Sequence, residues 1–405
     1  MIRCPACPAD VELRAEGQSA MVACSACGTE IDVSQRPPRI IHRFNEAPRR
    51  PLLPLGSRGT LRDRDLQVIG ALQRSDSKGY WHEYLLFNSA TGFCWLVYDT
   101  GHWSLGVPVE DTSQLVVNAL VRYDGRGYRR FRSGTAEVDW VVGEFYWGVH
   151  RGEQVFYVDY IAPPLMLTSE RARGETVWTK LEYIEPAQID AAFGIKSPPR
   201  QWVSSNQPNP ARLQLRRILP ALVASCVAVA AIQIGTVLRV REVTFPSANY
   251  HFGAVNEAPE KVFGPFAFTA PHSLNEVTAS AGLNNSWVEL DCVLVNATTG
   301  ETFEFTDAFS YYSGSDSDGS WSEGGFQNTA LLADIPSGTY NLVVEGLGAD
   351  QSGRPLSQPV TLSLRHDVVP WTNFWLVLLA ILAYPGYLLY RGRADEKERW
   401  ESATP

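Results

Sequence analysis

The residues best able to do chemistry lie at the start of the chain. Cys4-Pro-Ala-Cys7 and Cys24-Ser-Ala-Cys27-Gly28 are two C-x2-C knuckles separated by sixteen residues. Two such knuckles bring four thiolates into a tetrahedron of soft sulfur ligands that suits zinc, with rubredoxin-like iron as the minor alternative. Four protein ligands leave no open coordination position, so the expected role is structural. Metal binding then supplies the folding energy of a ribbon over residues 1–33. Gly28 fits the positive φ that such a knuckle often needs. Arg3 and Arg14 are the only cations of this segment. Without interleaved basic and aromatic side chains, nucleic acid is not expected as a partner. Cys94, Cys226 and Cys292 are expected to serve as small apolar residues.

A second pattern sets acids beside aromatics: Trp81/Glu83, Asp139/Trp140, Glu144/Trp147, Asp159/Tyr160 and Glu182/Tyr183, with Trp178 before the last pair. Carboxylates beside aromatic faces can hold an organic cation by charge pairing and cation–π attraction. Trp81, Glu83, Glu144, Trp147, Asp159, Tyr160, Trp178 and Glu182 are therefore candidate ligand-binding residues. An aromatic core with solvated acids on the opposite strand face produces the same alternation. A third candidate is Asp316, Asp318 and Glu323 in the loop from Ser313 to Glu323. Hard oxygen ligands before a glycine suggest calcium, although the EF-hand's third ligand and flanking helix are missing, and a hydrophilic turn is the plainer reading.

Catalytic signatures are weak. His82, His102 and His150 are the only histidines between Gly56 and Ile195, and none pairs with another at metal spacing. Cys94, Asp99 and His102 resemble a nucleophile set, but Cys94 stands between Phe93 and Trp95, where a core thiol is expected. No phosphate-cradling glycine loop and no dinucleotide fingerprint occur. The chain is not expected to be an enzyme.

These residues must be positioned by a mainly β protein. Between Gly56 and Ile195 short runs such as Trp81–Phe87, Cys94–Tyr98 and Val155–Ile161 are dense in β-branched and aromatic residues, predicting an antiparallel barrel or sandwich over residues 56–196. Pro186 to Phe193 reads as a helix with proline in its first turn. Residues 34–55 carry Arg36, Arg39, Arg43, Arg49 and Arg50 among prolines, and are expected to be a basic spacer. Residues 197–217 read as a second linker.

Residues 218–238 form an apolar run without a charged side chain, long enough at 1.5 Å per residue to cross a hydrocarbon core of about 30 Å. A second run covers residues 371–390, with Trp371 and Trp375 placed like interfacial anchors. Arg212, Arg216 and Arg217 precede the first run; Arg391, Arg393, Lys397 and Arg399 follow the second within the tail 391–405. Residues 243–367 hold fifteen acids against Lys261, Arg354 and Arg365, about −12 in a chain of net charge −9. This asymmetry predicts cytoplasmic N- and C-termini and a translocated domain between two spans. The opening Cys4 and Cys7 are unlike a signal peptide, which also keeps the N-terminus inside. Within 243–367, Trp287–Val295, a turn at Asn296–Gly300 and Glu301–Phe305 predict a hairpin, in a β-sandwich with the strands near Tyr340 and Leu362.

One further set of residues carries a resemblance. Gly143-Glu-Phe-Tyr-Trp147, Asp159-Tyr-Ile-Ala-Pro-Pro164, Met166-Leu-Thr-Ser-Glu170 and Trp178…Glu182-Tyr183, with Trp81-x-Glu83-Tyr84 and Ala191-Ala-Phe193-Gly194, resemble the hallmark run of a bacterial family, domain of unknown function 4178. The resemblance covers Gly56 to Lys196, and the family has no assigned activity. Its members tend to lie beside polyamine-synthesis genes and small membrane proteins, sometimes with phage-shock or band-seven type partners. The resemblance thus implies a role in a membrane-associated assembly, and with the two spans the expected location is the bacterial inner membrane. The expected function is a non-enzymatic adaptor or sensor, in contact with membrane and cytoplasmic proteins and able to oligomerise. Its outer domain would be periplasmic or extracellular. A membrane-tethered polyamine-binding domain is the alternative.

Overall fold

The computed structural model describes the chain apart from residues 45–49, 118–119, 173, 201, 253–259, 318, 357 and 404–405. It divides into two compact units, Met1–Ile218 with Pro385–Pro405, and Leu219–Tyr384.

The first unit is built on eight strands: β1 (Arg64–Asp76), β2 (Gly79–Asn88), β3 (Gly92–Asp99), β4 (His102–Pro108), β5 (Arg126–Phe145), β6 (Gln154–Ala162), β7 (Leu165–Ala172) and β8 (Glu175–Ile184). Hairpins link β1 to β4 and β5 to β8; β4 pairs with β8 and β5 with β1, so the sheet closes into an antiparallel barrel with no free edge in the ring. The register decides what faces inward. Ala136 and Val138 of β5 are buried, whereas Ser133, Thr135 and Glu137, which alternate with them, are exposed. Arg74 lies opposite both Val138 and Trp81, and Asp159 lies opposite both Arg132 and Thr168. The inward face of this barrel therefore carries charge. β5 also continues past the ring to pair with the strand Met21–Ala23. Gly143 at that branch has φ +84°, and a Cβ there would stand 2.3 Å from the Ile69 carbonyl oxygen, so glycine alone fits.

Two stretches expected to be spacers are structured. Arg39–His42 forms a strand on Glu30–Asp32, and Leu53 is fully buried with Tyr84, Trp103 and Ile189 of the helix α1 (Pro186–Phe193). Ile40 and Ile41 before residues 45–49, and Leu53 after them, supply the burial that holds these two described parts in place. Arg49 lies outside the described residues. In 197–217, Asn206, Gln207 and Asn209 are buried. The Asn209 side chain caps the helix α2 (Pro210–Arg239) by accepting from Arg212 N at 3.0 Å. The third helix, α3 (Trp371–Ala403), runs through the expected tail without a break. Both α2 and α3 contain a stretch long and apolar enough to cross a membrane.

Between those stretches lies a sandwich of two five-stranded antiparallel sheets. The expected hairpin is present, with Val295 opposite Thr302. One core joins both sheets, Val277 and Leu362 from one with Leu290 and Leu342 from the other, as alternating strands packed face to face require.

Candidate metal centre and the charged barrel interior

The four cysteines converge. Cys4 Sγ is 3.8 Å from Cys27 Sγ, Cys7 Sγ is 3.8 Å from Cys24 Sγ, and all four sulfurs lie within 4.8 Å of one another. A tetrahedron with metal–sulfur bonds of about 2.3 Å has edges of about 3.8 Å. The knuckles are held by Ala6 N donating to Cys4 Sγ at 3.4 Å and Gly28 N to Cys24 O at 2.8 Å, with Gly28 at φ +73°. Burial pushes the Cys24 thiol up to about 12. Burial also acts on Cys27, but hydrogen bonding at Thr29 and the neighbouring thiols outweigh it and bring Cys27 down to about 7. A cation at the centre would displace those protons and bind the thiolates.

The acids and aromatics proposed as one ligand site separate into four places. Glu144, wholly buried, accepts from Arg14 N at 2.6 Å, Ala15 N at 3.0 Å and Ser19 Oγ at 2.8 Å. It fastens the ribbon to β5 and has no face left for a ligand. Trp147 packs at ring distances of 5.2 Å on Trp95 and 5.4 Å on Phe145. Tyr160 and Trp178 pair on the outer face at 5.8 Å, and Glu182 binds Arg62 there at 2.7 Å.

Trp81, Glu83 and Asp159 do meet inside the barrel, but with two arginines that the acid–aromatic pattern did not reveal. Arg74 Nε lies 3.3 Å from Glu83 Oε1, close enough for charge pairing though off the hydrogen-bond axis, and Arg74 Nη2 lies 3.4 Å from Glu170 Oε2. Trp81 Nε1 donates to Glu83 Oε1 at 2.7 Å. Arg132 donates to the Tyr157 hydroxyl at 2.6 Å and to Asp76 at 3.0 Å, and that hydroxyl donates to Asp76 at 2.5 Å. The available signal was strand alternation: Leu72, Arg74 and Asp76 share one face of β1.

Burial raises Asp159 to about 6, with the nearby Asp76 and Asp99 adding to the shift and Thr168 and Arg132 opposing it. A folded value above the unfolded one gives stability present below about pH 4 and lost as pH rises through about 6. Asp159→Asn is therefore expected to stabilise the chain at pH 8 by about 2 kcal/mol, allowing for some solvent at a partly exposed carboxyl, and by much less at pH 4.5. Thermal midpoints at the two pH values check this, and an equal gain at both would remove titration as the cause.

The remaining candidates do not assemble. Asp316 lies opposite Gly319 and Glu323 opposite Tyr312, four residues apart along the hairpin; Asp318 lies outside the described residues. A two-strand ladder thus separates the carboxylates a calcium loop would converge. Cys94 faces the core under α1, where burial raises it to about 11. Asp99 points to the other face of β3. His102 is held by the Tyr183 hydroxyl at 3.1 Å and by the Trp202 carbonyl at 2.6 Å. Histidines without metal spacing in the sequence do meet in space: ligand atoms of Glu30, His42 and His150 lie within 4.8 Å of one another.

No curated protein matches the chain. Among solved structures, the crystal structure of the infectious bursal disease virus VP2 subviral particle is 11% identical over 91% of this chain and 68% of that one, with a TM-score of 0.21. The structure of the Gx strain of that virus is 10% identical over 87% and 67%, with a TM-score of 0.20. Scores this low carry no shared fold. Residues 54–186, which contain the whole barrel, match the family model described as domain of unknown function (DUF4178).

Proposed function

We propose that this protein is a non-enzymatic, membrane-anchored adaptor or sensor of the bacterial cytoplasmic membrane. In this reading both termini are cytoplasmic, α2 and α3 each cross once, and residues 243–367 face the periplasm or exterior. Zinc at Cys4, Cys7, Cys24 and Cys27 is structural. The observation that carries the reading is the junction at the base of the two helices. Asn209 Nδ2 donates to Gly392 O at 2.8 Å, and Arg399, 2% exposed, donates to Gln207 O at 2.6 Å. Beyond it, Trp400 lies 4.0 Å below the Arg129 guanidinium and packs on Phe131 of β5. The segment that leads into α2 thus holds the C-terminal end of α3, and the barrel wall touches that end at Trp400, so a shift of α3 bears on the barrel. The inward arginines, standing where an organic cation would bind, favour contact over ligand capture.

Affinity capture of the full chain in mild detergent, beside a Cys24→Ser/Cys27→Ser variant, tests this reading. A stoichiometric membrane partner lost from the variant supports it; recovery of the protein alone from both overturns it. The junction has its own test. Arg399→Ala deletes a buried charged hydrogen bond worth about 2 kcal/mol, so amides of residues 391–403 should exchange more than tenfold faster. Unchanged exchange would show that the junction is not held there.

A second reading, a tethered polyamine-binding barrel, is favoured by the excess of inward acids: Asp76, Glu83, Asp99, Asp159 and Glu170 against Arg74 and Arg132. Saturable spermidine binding to the full chain, abolished by Glu83→Gln, would select it over the adaptor.

A further inference from the structure

We infer that Glu30, His42 and His150 form a second metal site, separate from the four cysteines, for a borderline divalent cation of the zinc class. The three residues come from three elements. Glu30 opens the second strand of the ribbon hairpin, His42 closes the strand paired to it, and His150 lies in the β5–β6 connection. His42 Nδ1 lies 2.8 Å and His150 Nδ1 lies 3.1 Å from the same carboxylate oxygen, Glu30 Oε2. The imidazole rings stand 5.1 Å apart and edge-on, aiming both Nδ1 atoms at one point. Tetrahedral metal–ligand bonds of about 2.0–2.2 Å set neighbouring ligand atoms about 3.3–3.6 Å apart, so a cation would enter by opening these two hydrogen bonds by about half an ångström.

The carboxylate is built in place. Glu30 is wholly buried, and its other oxygen accepts from Arg151 N at 2.9 Å. Such an outer hydrogen bond orients a metal-binding carboxylate. Glu153 stands beside the group, its Oε2 accepting from His150 N at 3.3 Å. Two imidazoles and a carboxylate suit zinc, cobalt or ferrous iron rather than calcium or magnesium, which prefer all-oxygen shells. The His42 side chain is 53% exposed, so a fourth coordination position opens to solvent. Bound there, the cation staples the ribbon and the strand after it to the barrel.

Cobalt(II) titration of the metal-stripped full chain in detergent tests the site, because the two centres differ in colour. Four thiolates give strong sulfur-to-cobalt charge transfer, whereas nitrogen and oxygen ligands give only weak visible bands. Two equivalents per chain are expected. His42→Gln, changing a half-exposed residue, and Glu30→Gln should each lose one equivalent and keep the full charge-transfer band, which also shows that the ribbon has folded. One equivalent in the unmodified chain, or two in the His42→Gln variant, would overturn the inference and leave the three residues as a hydrogen-bonded latch.

Discussion

A Cys24→Ser chain is expected to bind at least one metal equivalent fewer and to exchange the amides of residues 1–33 as an unfolded peptide would. The ribbon's own core is Val11, Val22 and Ile31 around the cysteines, too little apolar surface to hold so short a segment. Apparent zinc affinities of about 10–16 kcal/mol in small isolated ribbons are folding free energy, so loss of one buried thiolate removes most of what keeps this one folded. The damage should also cross into the barrel. Met21–Ala23 pairs with Gly143–Phe145, and Glu144 finds its donors only on Arg14, Ala15 and Ser19 among its described contacts. An unfolded ribbon leaves that carboxylate without them at the barrel wall, at a cost of about 1–3 kcal/mol or more for a charged group. Faster exchange should therefore appear at Gly143–Phe145 as well as in the ribbon, and a strong chelator should reproduce both. Protection unchanged at both places would mean that packing, not metal, folds the ribbon.

The parts legible in the sequence are those whose signal is local. A C-x2-C knuckle, an apolar run and the turn at Asn296–Gly300 each declare themselves within a few residues. The parts that were not legible depend on partners far along the chain. Glu144 looks like a ligand acid until its donor, 130 residues away, is in view. His42 and His150 have no metal spacing because pairing of the ribbon strand with the end of β5 brings them together. Leu53 sits in a proline-rich stretch whose composition says spacer, yet one leucine buried under α1 outweighs that composition. Alternation placed Trp81 with Glu83 and Arg74 with Asp76. It could not say that these faces turn inward, because that follows only from the pairing of β5 with β1.

Arg74→Leu is expected to lower the thermal midpoint of the full chain by roughly 5–10 °C, a loss of about 3 kcal/mol in a domain of this size. The Arg74 side chain is 8% exposed and that of Glu83 is 10% exposed, so neither charge can recover much hydration if its partner leaves. Glu170 contributes less, since its side chain is 35% exposed and solvent screens the pair. Removing the guanidinium leaves Glu83 with Trp81 Nε1 as its remaining donor among the described hydrogen bonds. Most of the loss is thus the penalty of a stranded carboxylate rather than the worth of the pair. That distinction is measurable. Glu83→Gln added to Arg74→Leu removes the stranded charge and keeps an acceptor for Trp81, so the double variant should regain more than half of the lost midpoint. If the two losses simply add, Arg74 holds the barrel through its packing, and the charged interior is better read as a surface awaiting a cation than as a satisfied network.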